Sequence, residues 1–227
     1  ASQYEKVKYI YDRMITDTEY DLESLDNQNI YSVFMHHLSV CQGYAKATQY
    51  LLNRMGIECT LVLGTVDTGE GHAWNLLQVD GSYYYLDTTW GDASYRLSDG
   101  SDNPVDMSMV NYDYLNVTTE ELLRTHRIAS GIPMPECVAT EANYYVREGA
   151  LFTEYNKEQM EKLFDGIVED GKSGVTIKCV TRECYEEIHN ALVEKQEIFQ
   201  FLNEFDKAVT FSQNETQLSL TFWVTNE

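Results

Sequence analysis

Only three prolines interrupt the 227 residues, basic side chains are scarce, and no apolar run approaches the ~20 residues that a membrane-crossing helix needs. Few prolines and 13 glycines exclude a low-complexity or collagen-like chain, and ordinary apolar content excludes a disordered tail. The 16 Lys and Arg are outnumbered by 37 Asp and Glu, a formal net charge of −21. Such a surface repels phosphate backbones and anionic lipid, which argues against nucleic acid and membrane surfaces as partners and for a basic or neutral one. The plain alternative is that the acidity serves solubility alone. The chain begins at Ala1 without an initiator Met or a signal-like segment, so it reads as trimmed.

Cysteine is sparse as well. Cys41, Cys59, Cys137, Cys179 and Cys184 are an odd number spread over a long chain, which argues against a complete disulfide framework and leaves at least one thiol free. Cys179, Cys184 and His189 match no closed zinc spacing, and the two cysteines read as buried structural thiols. No metal or organic cofactor is implied.

What the sequence does have is periodicity. Val7, Ile10, Tyr11 and Met14 fall on one face of a helix over 4–15. From Cys41 onward, Tyr44, Ala45, Thr48, Leu51, Leu52 and Met55 share another face, with Gly56 where a C-terminal glycine cap belongs, so Cys41 heads a helix. Three strands follow, at 60–66, 72–79 and 83–87. Asp80-Gly81 between the last two predicts a two-residue type I′ hairpin. The stretch 93–125 is irregular and reads as a loop region on the functional face. It ends in a capping box from Thr118 to Glu121.

Pro133 and Pro135 then punctuate the chain, and composition changes beyond Glu141. The expected division is 1–135 and 142–227. The second part reads as strand 144–155, helix 157–170, strand 175–180, helix 182–204 and a hairpin over 208–224. Met160, Leu163, Phe164, Ile167 and Val168 form its helical stripe, and Leu218, Leu220, Phe222 and Val224 alternate as a strand does. This predicts a small α+β layer, with a ferredoxin-like arrangement as one candidate.

Thiol catalysis needs a thiolate, an imidazole to take its proton, and a group to orient that imidazole. A helix N-terminus favours the thiolate over the ordinary thiol, which titrates near ~8.5, and its free amides can hold an oxyanion. If Asp80-Gly81 closes the hairpin, Val79 pairs with Ser82, and counting back sets Trp74 opposite Asp87 and His72 opposite Thr89. His72 and Asp87 then share a sheet face as diagonal neighbours, close enough for the carboxylate to fix the imidazole tautomer. A slip of one residue would part them. Each residue also has a structural reading: Cys41 as a buried thiol, His72 as a satisfied polar group, Asp87 as a strand end.

The runs Val40-Cys41-Gln42-Gly43-Tyr44-Ala45, Gly71-His72-Ala73-Trp74-Asn75 and Tyr85-Leu86-Asp87-Thr88-Thr89-Trp90-Gly91-Asp92 resemble the bacterial transglutaminase-like superfamily in order and spacing. The flanking N-terminal helix and the segment from Tyr112 to Arg127 extend the resemblance over about the first 130 residues. The resemblance implies an α+β, papain-like catalytic domain in which the Cys helix packs on an antiparallel sheet. It implies Cys41 as nucleophile, His72 as general base and acid, and Asp87 as orienting group. Trp74, Trp90 and Tyr44 are candidate substrate-pocket residues. His36 and His37 read as surface or core polar residues.

The reaction implied is acyl transfer on an amide, foremost hydrolysis of a protein, peptide or peptidoglycan-type (cell-wall peptide) substrate. Protein-glutamine transamidation is the alternative, and a non-catalytic surface binding or scaffold module is the reading from another class. Extracytoplasmic placement is a further expectation from the resemblance. Oligomeric state is not readable.

Overall fold

The computed structural model describes residues 1–92, 110–129, 131–169, 174–202 and 207–226. It divides into two compact units, Ala1–Tyr144 and Tyr145–Glu227. The expected loop region over 93–125 lies, for 93–109, outside the described residues.

In the first unit, helix α1 (Gln3–Asp17) starts from Ser2, whose hydroxyl and the Glu5 carboxylate form a reciprocal capping box. Its buried stripe is Tyr4, Val7, Ile10, Tyr11 and Met14. Two short strands, β1 (Glu19–Tyr20) and β2 (Leu38–Ser39), pair in parallel. Helix α2 (Cys41–Arg54) follows, and Gly56 takes the left-handed conformation just past its end, φ +78°, as glycine caps do.

An antiparallel sheet then forms in the order β5-β4-β3-β6, from β3 (Cys59–Val66), β4 (Gly71–Val79), β5 (Ser82–Leu86) and β6 (His126–Ile128). Strand periodicity sends alternate side chains to opposite faces. Leu77, Val79, Tyr84 and Leu86 pack with α1 and α2 residues such as Val7, Tyr11, Tyr44 and Leu52. Val62, Trp74, Leu76 and Tyr85 form the other cluster, with Val117, Leu122 and Cys137. The mixed α+β class and a helix carrying Cys41 against an antiparallel sheet are as expected.

The hairpin has the expected register. Val79 pairs with Ser82 and Asn75 with Leu86, and the loop residues Asp80 (φ 49°) and Gly81 (φ 87°) both have the positive φ of a type I′ turn. Asp87 departs from the sequence reading. It is not a strand residue but the N-cap of a short helix, α3 (Thr88–Gly91), because its carboxylate takes the amides of Thr89 and Trp90. The Thr118–Glu121 capping box opens α4 (Thr119–Leu122). β6 then pairs with the far end of β3, Val66 opposite His126 and Gly64 opposite Ile128.

The second unit is a four-stranded sheet, order β7-β8-β10-β9, built from β7 (Leu151–Phe152), β8 (Gly174–Cys179), β9 (Lys207–Asn214) and β10 (Ser219–Asn226). Helices α5 (Lys157–Glu169) and α6 (Arg182–His189) separate β7 from β8 and β8 from β9. Its core includes Phe152, Met160, Phe164, Ile177, Leu220 and Phe222. It is α+β but not ferredoxin-like. That fold runs strand-helix-strand-strand-helix-strand, whereas here β7 and β8 are parallel neighbours across α5 and the last two strands form a hairpin.

Two boundaries also shift. The expected strand over 144–155 shrinks to two residues after a helical turn at Tyr144–Arg147 and a left-handed Gly149. The expected helix over 182–204 stops at His189. A wide turn over Asn190–Glu194, a left-handed Gln196 (φ 57°) and a 3-10 turn over Glu197–Phe201 replace the rest.

Candidate active site

Cys41 is the first residue of α2. The amides of Gly43 and Tyr44 turn back to the Val40 carbonyl (2.9 and 3.1 Å), and Val40 supplies no side-chain cap. The amides of Cys41 and Gln42 precede the first turn that the helix can satisfy internally, so they are placed to bind an anionic oxygen. Gly43 is required here because a Cβ would run into the Ser39 hydroxyl and the Asn27 carbonyl.

All five thiols are free, and Cys41 alone is only half-buried. Burial pushes Cys59 up to about 12 and Cys137 up to about 11, and raises Cys179 and Cys184 as well. Four thiols are thus held in their neutral form, out of reach of solvent.

His72 sits near the start of β4, 7% exposed, and its Nε2 lies 2.7 Å from Asp87 Oδ2. A carboxylate oxygen can only accept, so Nε2 carries the proton. Nδ1 is not committed to Asp87, and the Cys41 side chain is close enough to the ring to favour its charged form. Burial works against the imidazolium, but the Asp87 charge and hydrogen bond, with Cys41, outweigh it and push His72 up to about 10. Asp87 is the mirror case. Burial favours its neutral form, yet the His72 charge and the hydrogen bonds from His126 and His72 hold it well below the usual carboxylate range.

The second histidine at Asp87 escaped the sequence reading. His126, 0% exposed, places Nε2 3.0 Å from the same Oδ2, and its Nδ1 lies 2.8 Å from the Thr125 hydroxyl. On the other oxygen, Oδ1 accepts from the amides of Thr89 (2.9 Å) and Trp90 (3.1 Å).

His72, Asp87 and His126 are also the only potential metal-ligand cluster among the described residues, their three ligand atoms lying within 4.8 Å of one another. The two N···O separations are hydrogen-bond lengths, and a nitrogen that carries the bonding proton has no lone pair for an ion. Cys179, Cys184 and His189 form no such cluster. The His189 ring stacks on Tyr185 and meets the edge of Phe211.

Two of the candidate pocket residues are corrected. Trp74 is 0% exposed, with its indole in the sheet core against His72 and His126. Tyr44 is also fully buried, with its hydroxyl between the Thr18 carbonyl (2.7 Å) and Asp92 Oδ2 (2.8 Å). Neither presents a surface to a substrate. Trp90 is half-buried and stands over both imidazoles, ring centroids 6.1 Å from His72 and 4.9 Å from His126. His36 and His37 are exposed, as expected of surface residues. No described helix is long and apolar enough to cross a membrane.

No curated protein matches the sequence. Among solved structures, a TGase is 20% identical with a TM-score of 0.37, covering 45% of this chain and 32% of that one. A candidate cysteine protease from Cytophaga hutchinsonii is 22% identical with a TM-score of 0.35, covering 38% of this chain and 31% of that one. The chain thus spans about a third of the length of each. The model of the transglutaminase-like superfamily matches residues 1–88, a stretch that holds Cys41, His72 and Asp87 and stops short of His126. Over that stretch, from α1 to the cap of α3, the chain is similar to the transglutaminase-like superfamily.

Proposed function

We propose that the first unit is a cysteine-dependent enzyme that cleaves an amide through an acyl-enzyme, with Cys41 as nucleophile, His72 as base and acid, and Asp87 as orienting group. The observation that carries this reading is the position of His72, with Nε2–H committed to Asp87 and the Cys41 side chain close enough to favour the charged ring. In the proposed sequence the Cys41 proton passes to His72 Nδ1 and the thiolate adds to the amide carbonyl carbon. The developing oxyanion is met by the free amides at the start of α2. Collapse breaks the C–N bond, and His72 returns the proton to the leaving amine. Water, deprotonated by His72, then releases the acyl group as a carboxylic acid and restores the thiol.

Peptide or cell-wall peptide amides are the proposed substrates, and water the proposed acceptor because it needs no binding site of its own. The test is incubation with a peptide library and with peptidoglycan fragments, with and without labelled cadaverine, for wild type and Cys41→Ala. Cys41-dependent release of free carboxylate supports hydrolysis. Covalent uptake of the amine in place of hydrolysis would make the chain a transamidase. Turnover that survives Cys41→Ala would overturn the thiol mechanism, and no turnover together with a Cys41 that alkylates no faster than the buried thiols would favour a binding module.

A further inference from the structure

We propose that His126 is a positioning residue of this site, its Nε2–H clamping Asp87 Oδ2 and, through it, the tautomer and orientation of His72. The inference rests on the triad proposed above and extends it to a residue outside the matched stretch.

The geometry leaves His126 little freedom. It is fully buried at the start of β6, opposite Val66. Its ring is wedged among Trp74 (4.9 Å between centroids), Trp90 (4.9 Å), His72 (5.4 Å) and Tyr114 (5.6 Å). Both ring nitrogens are engaged, Nδ1 with Thr125 Oγ1 and Nε2 with Asp87 Oδ2. Because Oδ2 accepts from both imidazoles, Nε2 of His126 must carry a proton. Asp87 therefore receives four N–H donors, two on each oxygen. Hydrogen bonds to the charged form of a buried carboxylate keep it charged and still.

Removing the His126 donor leaves Asp87 with an unmatched lone pair in a dry site and one group fewer to fix its direction, so the alignment of His72 loosens. The groups that titrate or carry charge around this network are Cys41 on α2, Asp87 at the cap of α3, His72 on β4, Tyr114 on the 3-10 turn over Tyr112–Tyr114, and Tyr11 on α1, which senses the Asp87 charge. A histidine that merely fills the core would be replaceable by another ring without consequence for His72.

The test uses ¹⁵N-labelled protein, with histidine side-chain spectra read against pH, and the rate of Cys41 alkylation by iodoacetamide located by peptide mass spectrometry. In wild type, His126 is expected to show a protonated, slowly exchanging Nε2. In His126→Phe, which keeps the ring and removes the donor, the His72 titration midpoint shifts by about one pH unit or more, and Cys41 alkylation at neutral pH slows roughly ten- to a hundredfold. His126→Gln, whose amide reaches about as far as Nε2, restores most of both. A bare Nε2 on His126 in wild type overturns the proposal, whatever the variants do. A folded Phe variant with an unchanged His72 midpoint overturns it too. If His72→Ala leaves Cys41 alkylation untouched, it is the triad that fails, an outcome that the His126 variants do not mimic.

Discussion

The Trp74 indole stacks against the His72 imidazole, ring centroids 5.9 Å apart and planes within 23° of parallel. The two residues are two positions apart on β4, so they share a sheet face, and a rigid aromatic body backs the ring that must keep its direction toward Cys41 and Asp87. The indole Nε1 finds no acceptor among the described residues. Trp74→Phe removes that buried donor, worth about 1–3 kcal/mol, along with some packing, so its urea midpoint is expected to stay near wild type. Trp74→Ala leaves a cavity and is expected to cost about 3–5 kcal/mol. Equal losses in the two variants would show that the indole is not offset by its orphaned N–H.

Asp87→Asn is expected to be far more severe than its size suggests. An amide puts either an NH₂ group against two imidazole donors or one against two backbone donors. Breaking a buried charge pair costs about 3–5 kcal/mol, and loss of an orienting carboxylate in a triad costs about 10⁴-fold in turnover. Thermal unfolding and amide turnover measure the two losses. A variant that melts like wild type would mean that the carboxylate is not charged in the folded chain.

The pH dependence of stability follows from the same pair. His72 is raised on folding from an ordinary value of about 6.5 to about 10, so its contribution is complete below about 6.5 and is lost as pH rises toward 10. Asp87 is lowered, so its contribution is complete above about 4 and is lost as pH falls. Urea unfolding of wild type and His72→Gln between pH 5 and 10.5 is expected to show the wild-type advantage shrinking above about 6.5. An advantage that grows with pH would mean that His72 is neutral in the native state.

Gly64 tests the strand that carries His126. A Cβ there would run into the Arg127 carbonyl and the Trp74 indole, so Gly64→Ala must push β6 away from β3. The overpacking is expected to cost about 1–3 kcal/mol, and Cys41 alkylation should slow in the same direction as for His126→Phe. Melting temperature and alkylation rate check the pair. A stability loss with normal alkylation would separate the β6 seam from the site.

Local chemistry made half of this site readable before any coordinates. Asp80-Gly81 specifies a turn with two positive φ values, the turn fixes Val79 opposite Ser82, and that register settles which face carries His72. Gly56 and the helical spacing of the apolar residues behind Cys41 did the same for α2. His126 had no such local signal. It lies 39 residues beyond Asp87 on a three-residue strand, and the β3–β6 pairing that brings it in is a tertiary contact with no periodicity of its own. The capping role of Asp87 was hidden for a related reason, since a strand-terminal Asp and an N-cap Asp look alike until the next four residues turn. In the second unit, strand periodicity marks β10 but says nothing of its neighbours, so the parallel β7–β8 pairing could not be read.

Asp87 both starts a helix and anchors two imidazoles, and that double duty has an evolutionary reading. A substitution at the half-buried Cys41 leaves the cap of α3 and both histidines in place, whereas a substitution at Asp87 undoes that cap and strands two buried histidines at once. If the proposed triad is at work here, a descendant of this chain that gave up catalysis for binding is expected to lose Cys41 early and to retain Asp87 long after the reaction has gone.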